Sequence, residues 1–422
     1  MDEPVRRNSV KRAVVIVIDG CGAGAAPDAH EFGDEPTCNT LANTAAAVGG
    51  LNLPCLERLG LGNITRIQGV APDSASAGWF GKLQESSRGK DTQTGHWELM
   101  GLVSNVAFPL YPNGFPGDIL ERFVAETGCQ GVLGNKPASG TGILDELGQE
   151  HQRTGFPIVY TSGDSVFQVA CHVDTVPLER QYEWCRIARK ILDGQHRVGR
   201  VICRPFTGAP GNYRRLGGDR RDYAVPPPAP TLLDRLRARG DGVLGIGKIE
   251  DIFDRQGLTH AVHTGSNKEG LELTLAAVNG TVDLSGLAIV PEPPPSVQFI
   301  FTNLVDTDML FGHRRDVRGY AGALVEIDQW LGRIMEAMGP HDILCISSDH
   351  GNDPTARGTD HTREYVPLLI WSPSLEEAPG SHDLGTRQGF VDVAASLAVW
   401  LGVNWDGPGV SFIPELSKAV KT

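Results

Sequence analysis

No run of apolar residues in the sequence approaches the ~20 that a membrane-spanning helix needs, and no two of its eight cysteines lie within four residues of each other. The first absence argues against a membrane protein. The second leaves no CxxC pair and no zinc-ribbon spacing, so scattered free thiols are expected. Positive charge is scarce too: 38 Lys+Arg stand against 51 Asp+Glu, a formal net charge of −13. Nucleic-acid affinity rests on neutralising phosphates, so a general nucleic-acid binder is disfavoured. A local cluster of Arg, Lys or metal ions can still reverse the field inside one cleft and accept a small anion. The charged start, Met1–Arg12, leads into only six apolar residues, Ala13–Ile18, too short for a signal-peptide core. A cytoplasmic, soluble protein is expected, with no membrane, nucleic-acid or obligate protein partner.

What is present is ordinary globular composition, 40% hydrophobic and 21% charged over 422 residues, enough for about two to four domains. Apolar, β-branched runs recur at Ala13–Ile18, Ile158–Tyr160, Gly199–Cys203, Gly242–Ile246, Val297–Leu304 and Ile343–Ile346. They read as buried strands of a mainly parallel sheet. Between them lie amphipathic stretches such as Tyr320–Met338, where Leu324, Ile327, Leu331, Ile334 and Met335 follow helical spacing. Alternating strand and helix indicate an α/β fold with helices on both faces of the sheet. Two stiff, proline-rich stretches, Pro226–Pro230 and Pro291–Pro295, suit hinges or long loops. The first suggests the return from an inserted domain, giving a core of 1–104 plus 226–422 and a cap of 105–225.

Three strand candidates run into acidic or histidine residues: Asp19 after the first, Asp306, Asp308 and His313 after the fifth, and Asp349-His350 after the sixth. Ligand sites in open α/β sheets gather outside the carboxyl ends of strands, so these groups can converge. A fourth cluster follows around Asp360-His361. A lone Asp after a strand is usually a turn former or cap; the combination holds enough carboxylates and imidazoles for two metal ions. Mixed Asp/His donors fit Mn, Zn or Fe better than Mg or Ca. Two such ions about 3.5–4 Å apart can clamp the attacking and leaving oxygens of a phosphoryl group. For a nucleophile, Gly89–Gly101 (GKDTQTGHWELMG) places small polar residues at a helix start. Thr92 or Thr94 could attack phosphorus there, although plain helix capping explains the same residues. The GxxxxGK[ST] phosphate loop is absent.

These stretches, with Gly134–Leu147 (GNKPASGTGILDEL), Val159–Asp164 (VYTSGD), Val198–Phe206 (VGRVICRPF), Asn303–Asp316 (NLVDTDMLFGHRRD), Ser348–Asp353 (SDHGND) and Gly358–Leu369 (GTDHTREYVPLL), resemble the phosphopentomutase family of the alkaline phosphatase superfamily. The segments inside the suspected cap make the match specific. The resemblance implies an alkaline-phosphatase-like α/β core with an inserted, smaller α/β cap that binds substrate. It implies an isomerase that interconverts ribose or deoxyribose 1-phosphate and 5-phosphate through a phosphothreonine and a bisphosphate. It further implies two Mn²⁺ ions held by Asp19, Asp308, His313, Asp349, His350 and His361, with Thr92 as the nucleophile. Arg204, Lys248 and Asp164 would lie around the substrate, and glucose 1,6-bisphosphate or ribose 1,5-bisphosphate would load Thr92. Asp306 is not among the implied ligands. Gly20 stands where the family pattern leads one to expect Ser, and residues of about 279–296 look like an enlarged loop. Cofactor-independent phosphoglycerate mutases and simple phosphatases are the nearest rivals, but leave the cap segments unexplained. A sulfatase is disfavoured for want of a CxPxR or SxPxR stretch. A catalytically dead sugar-phosphate sensor should have lost Thr92 or a ligand.

Overall fold

The computed structural model describes residues 10–162, 165–375 and 382–419. The chain divides into two compact units, 1–106 with 227–422, and 107–226. In chain order, β1 (Arg12–Ile18) and β2 (Trp79–Leu83) precede the inserted unit. That unit holds β3 (Leu133–Pro137), β4 (Ile158–Thr161), β5 (Val166–His172), β6 (Arg200–Thr207), β7 (Arg214–Arg215) and β8 (Arg221–Ala224). Beyond it come β9 (Val243–Ile246), β10 (His260–Val262), β11 (Phe299–Leu304), β12 (Asp342–Ser347), β13 (Val366–Trp371) and β14 (Asp383–Arg387).

The larger unit is built on one sheet of order β10-β9-β11-β1-β12-β13-β2-β14. Strand β1 lies between β11 and β12, parallel to both, with Val17 opposite Asn303 on one side and Ser347 on the other. Its β-branched sequence suits that place, because every residue from Ala13 to Ile18 is buried and both pleat faces are covered. Val14, Ile16 and Ile18 pack with Leu271, Leu324, Ile327 and Leu331 of the helices Asn267–Asn279 and Val317–Ala337. The helix Val391–Leu401 packs against β1 and against the helix Thr92–Leu99. Each fully buried Val, Leu or Ile contributes roughly 1.5–3 kcal/mol. The expected parallel centre is there; β13 pairs antiparallel with both β12 and β2, which the apolar runs did not indicate.

The inserted unit has its own sheet, β3-β4-β5-β6-β7 with β8 on β6. Its core gathers Phe115, Phe123, Phe167, Val169, Trp184 and Val201. All eight cysteines are free. Among the described residues, no helix is long and apolar enough to cross a membrane.

Candidate metal centre

Parallel neighbours bring the carboxyl ends of β11, β1 and β12 side by side, and the polar residues just beyond them meet. Asp19 follows β1, Asp349-His350 follow β12, and Asp308 lies in a single wide turn of π-helix, Thr307–Gly312, after β11. Such turns re-aim side chains and often mark functional sites. Two groups result. In the first, His350 Nε2 lies 3.5 Å from Asp19 Oδ1, 3.3 Å from Asp349 Oδ2 and 3.3 Å from Thr92 Oγ1. In the second, Asp308 Oδ2 is 3.3 Å from His313 Nε2, and Asp308 Oδ1 is 3.3 Å from His361 Nε2. The His350 and His361 rings stack at 3.8 Å and join the groups. The donor atoms of Asp19, Asp349 and His350, and those of Asp308, His350 and His361, lie within 4.8 Å of one another.

The residues fit divalent cations on three counts. Each histidine faces a backbone carbonyl with Nδ1: His350 to Gly351 at 3.1 Å, His361 to Lys90 at 2.9 Å, His313 to Thr359 at 2.6 Å. A carbonyl only accepts, so Nδ1 carries the proton and Nε2 is left as a lone-pair donor facing inward. Next, Asp19 Oδ1 and Asp349 Oδ2 are buried without a hydrogen-bond partner, a costly state that a cation relieves. Finally, burial, then the neighbouring charges of Asp349 and Asp308, push the Asp19 carboxyl well above its ordinary range, against the pull of Lys248 and Asn303. Burial likewise lowers the His350 pKa, favouring the neutral imidazole that ligates metals.

Local geometry separates the two threonines. Asp91 caps the helix Thr92–Leu99, accepting from the Thr94 N–H at 3.1 Å and from Thr94 Oγ1 at 2.6 Å. The Thr94 hydroxyl is thus engaged in the cap, while Thr92 Oγ1 faces His350. The helix comes this close because residue 95 is glycine: a Cβ there would stand 2.1 Å from the Asp349 carbonyl oxygen. Gly20 is also explained. Its φ of +73° is a left-handed conformation that strains other residues, and an added Cβ would meet Asn352 Cβ at 3.0 Å.

Asp306 turns aside from the ligand groups, its Oδ2 accepting the Asn267 N–H at 2.7 Å at the start of the helix Asn267–Asn279. Lys248 follows β9, the strand beside β11, where its charge acts on Asp19. Arg204 lies on β6 in the inserted unit and donates from Nε to Gln168 Oε1 at 3.0 Å. Burial lowers its pKa to about 10, so it stays charged at neutral pH. Asp164 lies outside the described residues. The sequence reading gave no role to His96, Asn303 or Asn352. Asn303 donates to Asp19 Oδ2 at 2.8 Å and Asn352 to Asp308 Oδ1 at 2.6 Å. The available signal was a polar Asn near the carboxyl end of the strand candidate Val297–Leu304.

A model described as the Metalloenzyme superfamily matches residues 294–405, the stretch holding Asp308, His313, Asp349, His350 and His361. A phosphopentomutase of Anaeromyxobacter dehalogenans (strain 2CP-C) is 53% identical over 408 residues, covering 97% of this chain and 99% of that protein. One from Caldanaerobacter subterraneus subsp. tengcongensis is 50% identical over 407 residues, covering 96% and 98%. A solved phosphoglycerate mutase of Leishmania mexicana is 12% identical, with a TM-score of 0.46, covering 96% of this chain and 98% of that one. The Metalloenzyme superfamily match and the grouped Asp and His donors support divalent-metal use by this α/β protein. Near-complete alignment at about half identity means that the chain belongs to the phosphopentomutase family, an isomerase family.

Proposed function

We propose that this enzyme interconverts the 1-phosphate and 5-phosphate of ribose and deoxyribose through a phosphorylated Thr92. Asp19, Asp349 and His350 would hold one Mn²⁺ ion beside Thr92, and Asp308, His313 and His361 the other. When bound, such ions offset phosphoryl charge and lower the pKa of a nearby hydroxyl. Phospho-Thr92 gives its phosphoryl group to the free hydroxyl of a pentose monophosphate. The phosphorus–Oγ1 bond breaks, a phosphorus–sugar oxygen bond forms, and the proton lost by the sugar hydroxyl is matched by one gained at the Thr92 oxygen. The resulting 1,5-bisphosphate turns around and returns its other phosphate to Thr92. The positive end of the dipole of the helix Thr92–Leu99 favours the transferring anion.

Glucose 1,6-bisphosphate or ribose 1,5-bisphosphate would load Thr92 initially. Arg204 suits a substrate phosphate because its planar fork donates paired hydrogen bonds; Lys248 and Asp164 would complete the sugar surroundings. The inserted unit would serve as the cap that excludes water, which otherwise turns a mutase into a phosphatase. With this reading goes a cytoplasmic enzyme of nucleoside salvage, acting on small sugar phosphates without an obligate protein partner.

The observation that carries the reading is the Thr92 hydroxyl, 3.3 Å from His350 Nε2 at a helix start beside two carboxylate–imidazole groups. Phosphorus NMR of ribose 1-phosphate with enzyme, Mn²⁺ and catalytic glucose 1,6-bisphosphate tests it. Ribose 5-phosphate should accumulate with little free phosphate. Release of inorganic phosphate alone would sink the mutase mechanism and leave only the metal chemistry.

A further inference from the structure

We infer that His96 and Asn303 are positioning residues, a hydrogen-bonded clamp that fixes the Asp19 carboxylate and the helical turn bearing Thr92. The inference rests on the ligand assignment proposed above. Both side chains are buried, at 0% and 1% exposure, where an unsatisfied polar group is expensive. Asn303 sits on β11 opposite Val17, two residues before Asp19 on the neighbouring strand. Its Nδ2 lies 2.8 Å from Asp19 Oδ2 and 3.2 Å from His96 Nε2. The ring of Phe301, 5.8 Å from that of His96, packs beside the pair.

Donor and acceptor accounting fixes every proton in this chain. An ionised carboxylate only accepts, so the nitrogen end of the amide must face Asp19. The second amide hydrogen then meets His96 Nε2, which must be an acceptor. The ring proton therefore sits on Nδ1, 2.8 Å from the Thr92 carbonyl oxygen. The sequence Asp19 ← Asn303 → His96 → Thr92 carbonyl uses each hydrogen once. Asp349 Oδ2, 3.2 Å from His96 Nδ1, is left without a hydrogen bond. The clamp occupies Asp19 Oδ2 and leaves Oδ1 free to face a cation. It also ties the backbone of the nucleophile to the orientation of a ligand, so metal binding and nucleophile placement share one chain of bonds.

A Mn²⁺ titration of the full-length, metal-free protein tests this, with the metal-free melting temperature as a control for folding. Asn303→Leu, nearly isosteric, should melt close to the parent protein. It should bind one Mn²⁺ ion roughly 10–100-fold more weakly and the other about as tightly as before. His96→Ala should lower kcat with little change in KM, and His96→Asn, whose amide can donate to the Thr92 carbonyl, should recover part of it. Unchanged affinity for both ions in a folded Asn303→Leu protein overturns the clamp. Asp19→Ala separates the premise from the inference: it should lose the same ion, and retention of both ions would refute the ligand assignment instead. Should the Asn303 variants fail to fold, ¹⁵N NMR of the parent protein decides, because a proton on Nε2 of His96 overturns the clamp.

Discussion

Two buried polar clusters lie a few residues apart in the chain, and they are finished to different degrees. One surrounds Arg363, two residues beyond His361. Its guanidinium donates from Nε and Nη2 to Asp28, from Nη1 to the Glu85 carboxylate and the Gly89 carbonyl, and from Nη2 to the Glu85 carbonyl. All five N–H groups of an arginine are thereby used, and the Phe32 ring lies 4.6 Å from the guanidinium carbon. The metal centre gathers the buried carboxylates of Asp19, Asp308 and Asp349, with the charge of Lys248 acting on Asp19, and leaves Asp19 Oδ1 and Asp349 Oδ2 without a hydrogen bond; in the Arg363 cluster Glu85 Oε1 is left in that state. A cluster whose carboxylates share an arginine is held together by its own counter-charge. One whose bare oxygens converge with imidazole nitrogens suits a cation.

Mutations that pull chemistry and stability apart test this contrast. Thr92→Ala should cut mutase turnover by on the order of 10⁴-fold or more while Mn²⁺ content stays near that of the parent protein. A coupled assay with metal analysis would show it, and a fully active variant would remove Thr92 from the mechanism. Arg363→Ala strands the buried Glu85 carboxylate and the partly exposed Asp28, and should cost about 3–5 kcal/mol in urea unfolding, with or without metal. Asp19→Asn should do the reverse. It should lose one Mn²⁺ ion yet leave the metal-free protein as stable as before or more so, because a destabilised buried charge has gone. If both variants destabilised the metal-free protein alike, the contrast would collapse.

Gly95→Ala is a finer probe, because it touches the centre without removing a ligand. Its methyl group would press on the Asp349 carbonyl, so a loss of about 1–3 kcal/mol is expected, with slower turnover as Thr92 is displaced. Full activity would mean that the helix has room to spare. The smallest effect concerns His151, in the inserted unit. Its Nε2 accepts the His172 N–H at 2.8 Å, its Nδ1 faces the Phe156 carbonyl at 2.7 Å, and burial holds its pKa below 6.5. The unfolded chain takes up a proton there as pH falls, whereas the folded chain resists it. Stability present above pH 6.5 is therefore lost as pH drops. Urea midpoints measured from neutral pH down to about pH 5 should fall more for the parent than for His151→Gln; parallel curves would contradict this.

The central strands were legible because β1, β9, β11 and β12 are apolar, β-branched runs buried on both faces. Strands β2 and β14 were not, since WFGKL is only alternately buried and DLGTR is largely polar. In the same way, Asp19, Asp308, Asp349 and His350 announced themselves by following such runs. Asn303 and His96 did not. Their roles depend on which neighbour a parallel strand or helix brings within 3 Å or so, and spacing along one chain carries no such information. The choice between Thr92 and Thr94 likewise needed the cap geometry at Asp91.

The position of β1 has a consequence for how the molecule is made. Both strands that flank it are encoded far downstream, the nearer ending at Leu304 and the farther at Ser347. At about 5–20 residues per second, a ribosome leaves this strand, apolar from Ala13 to Ile18, without partners for tens of seconds. The inserted unit, whose strands β3–β8 are contiguous in sequence, can complete its own sheet in that interval. A newborn chain would thus carry a finished insertion and an exposed, aggregation-prone first strand, and a chaperone that shields residues 12–18 should matter more to its yield than to its final stability.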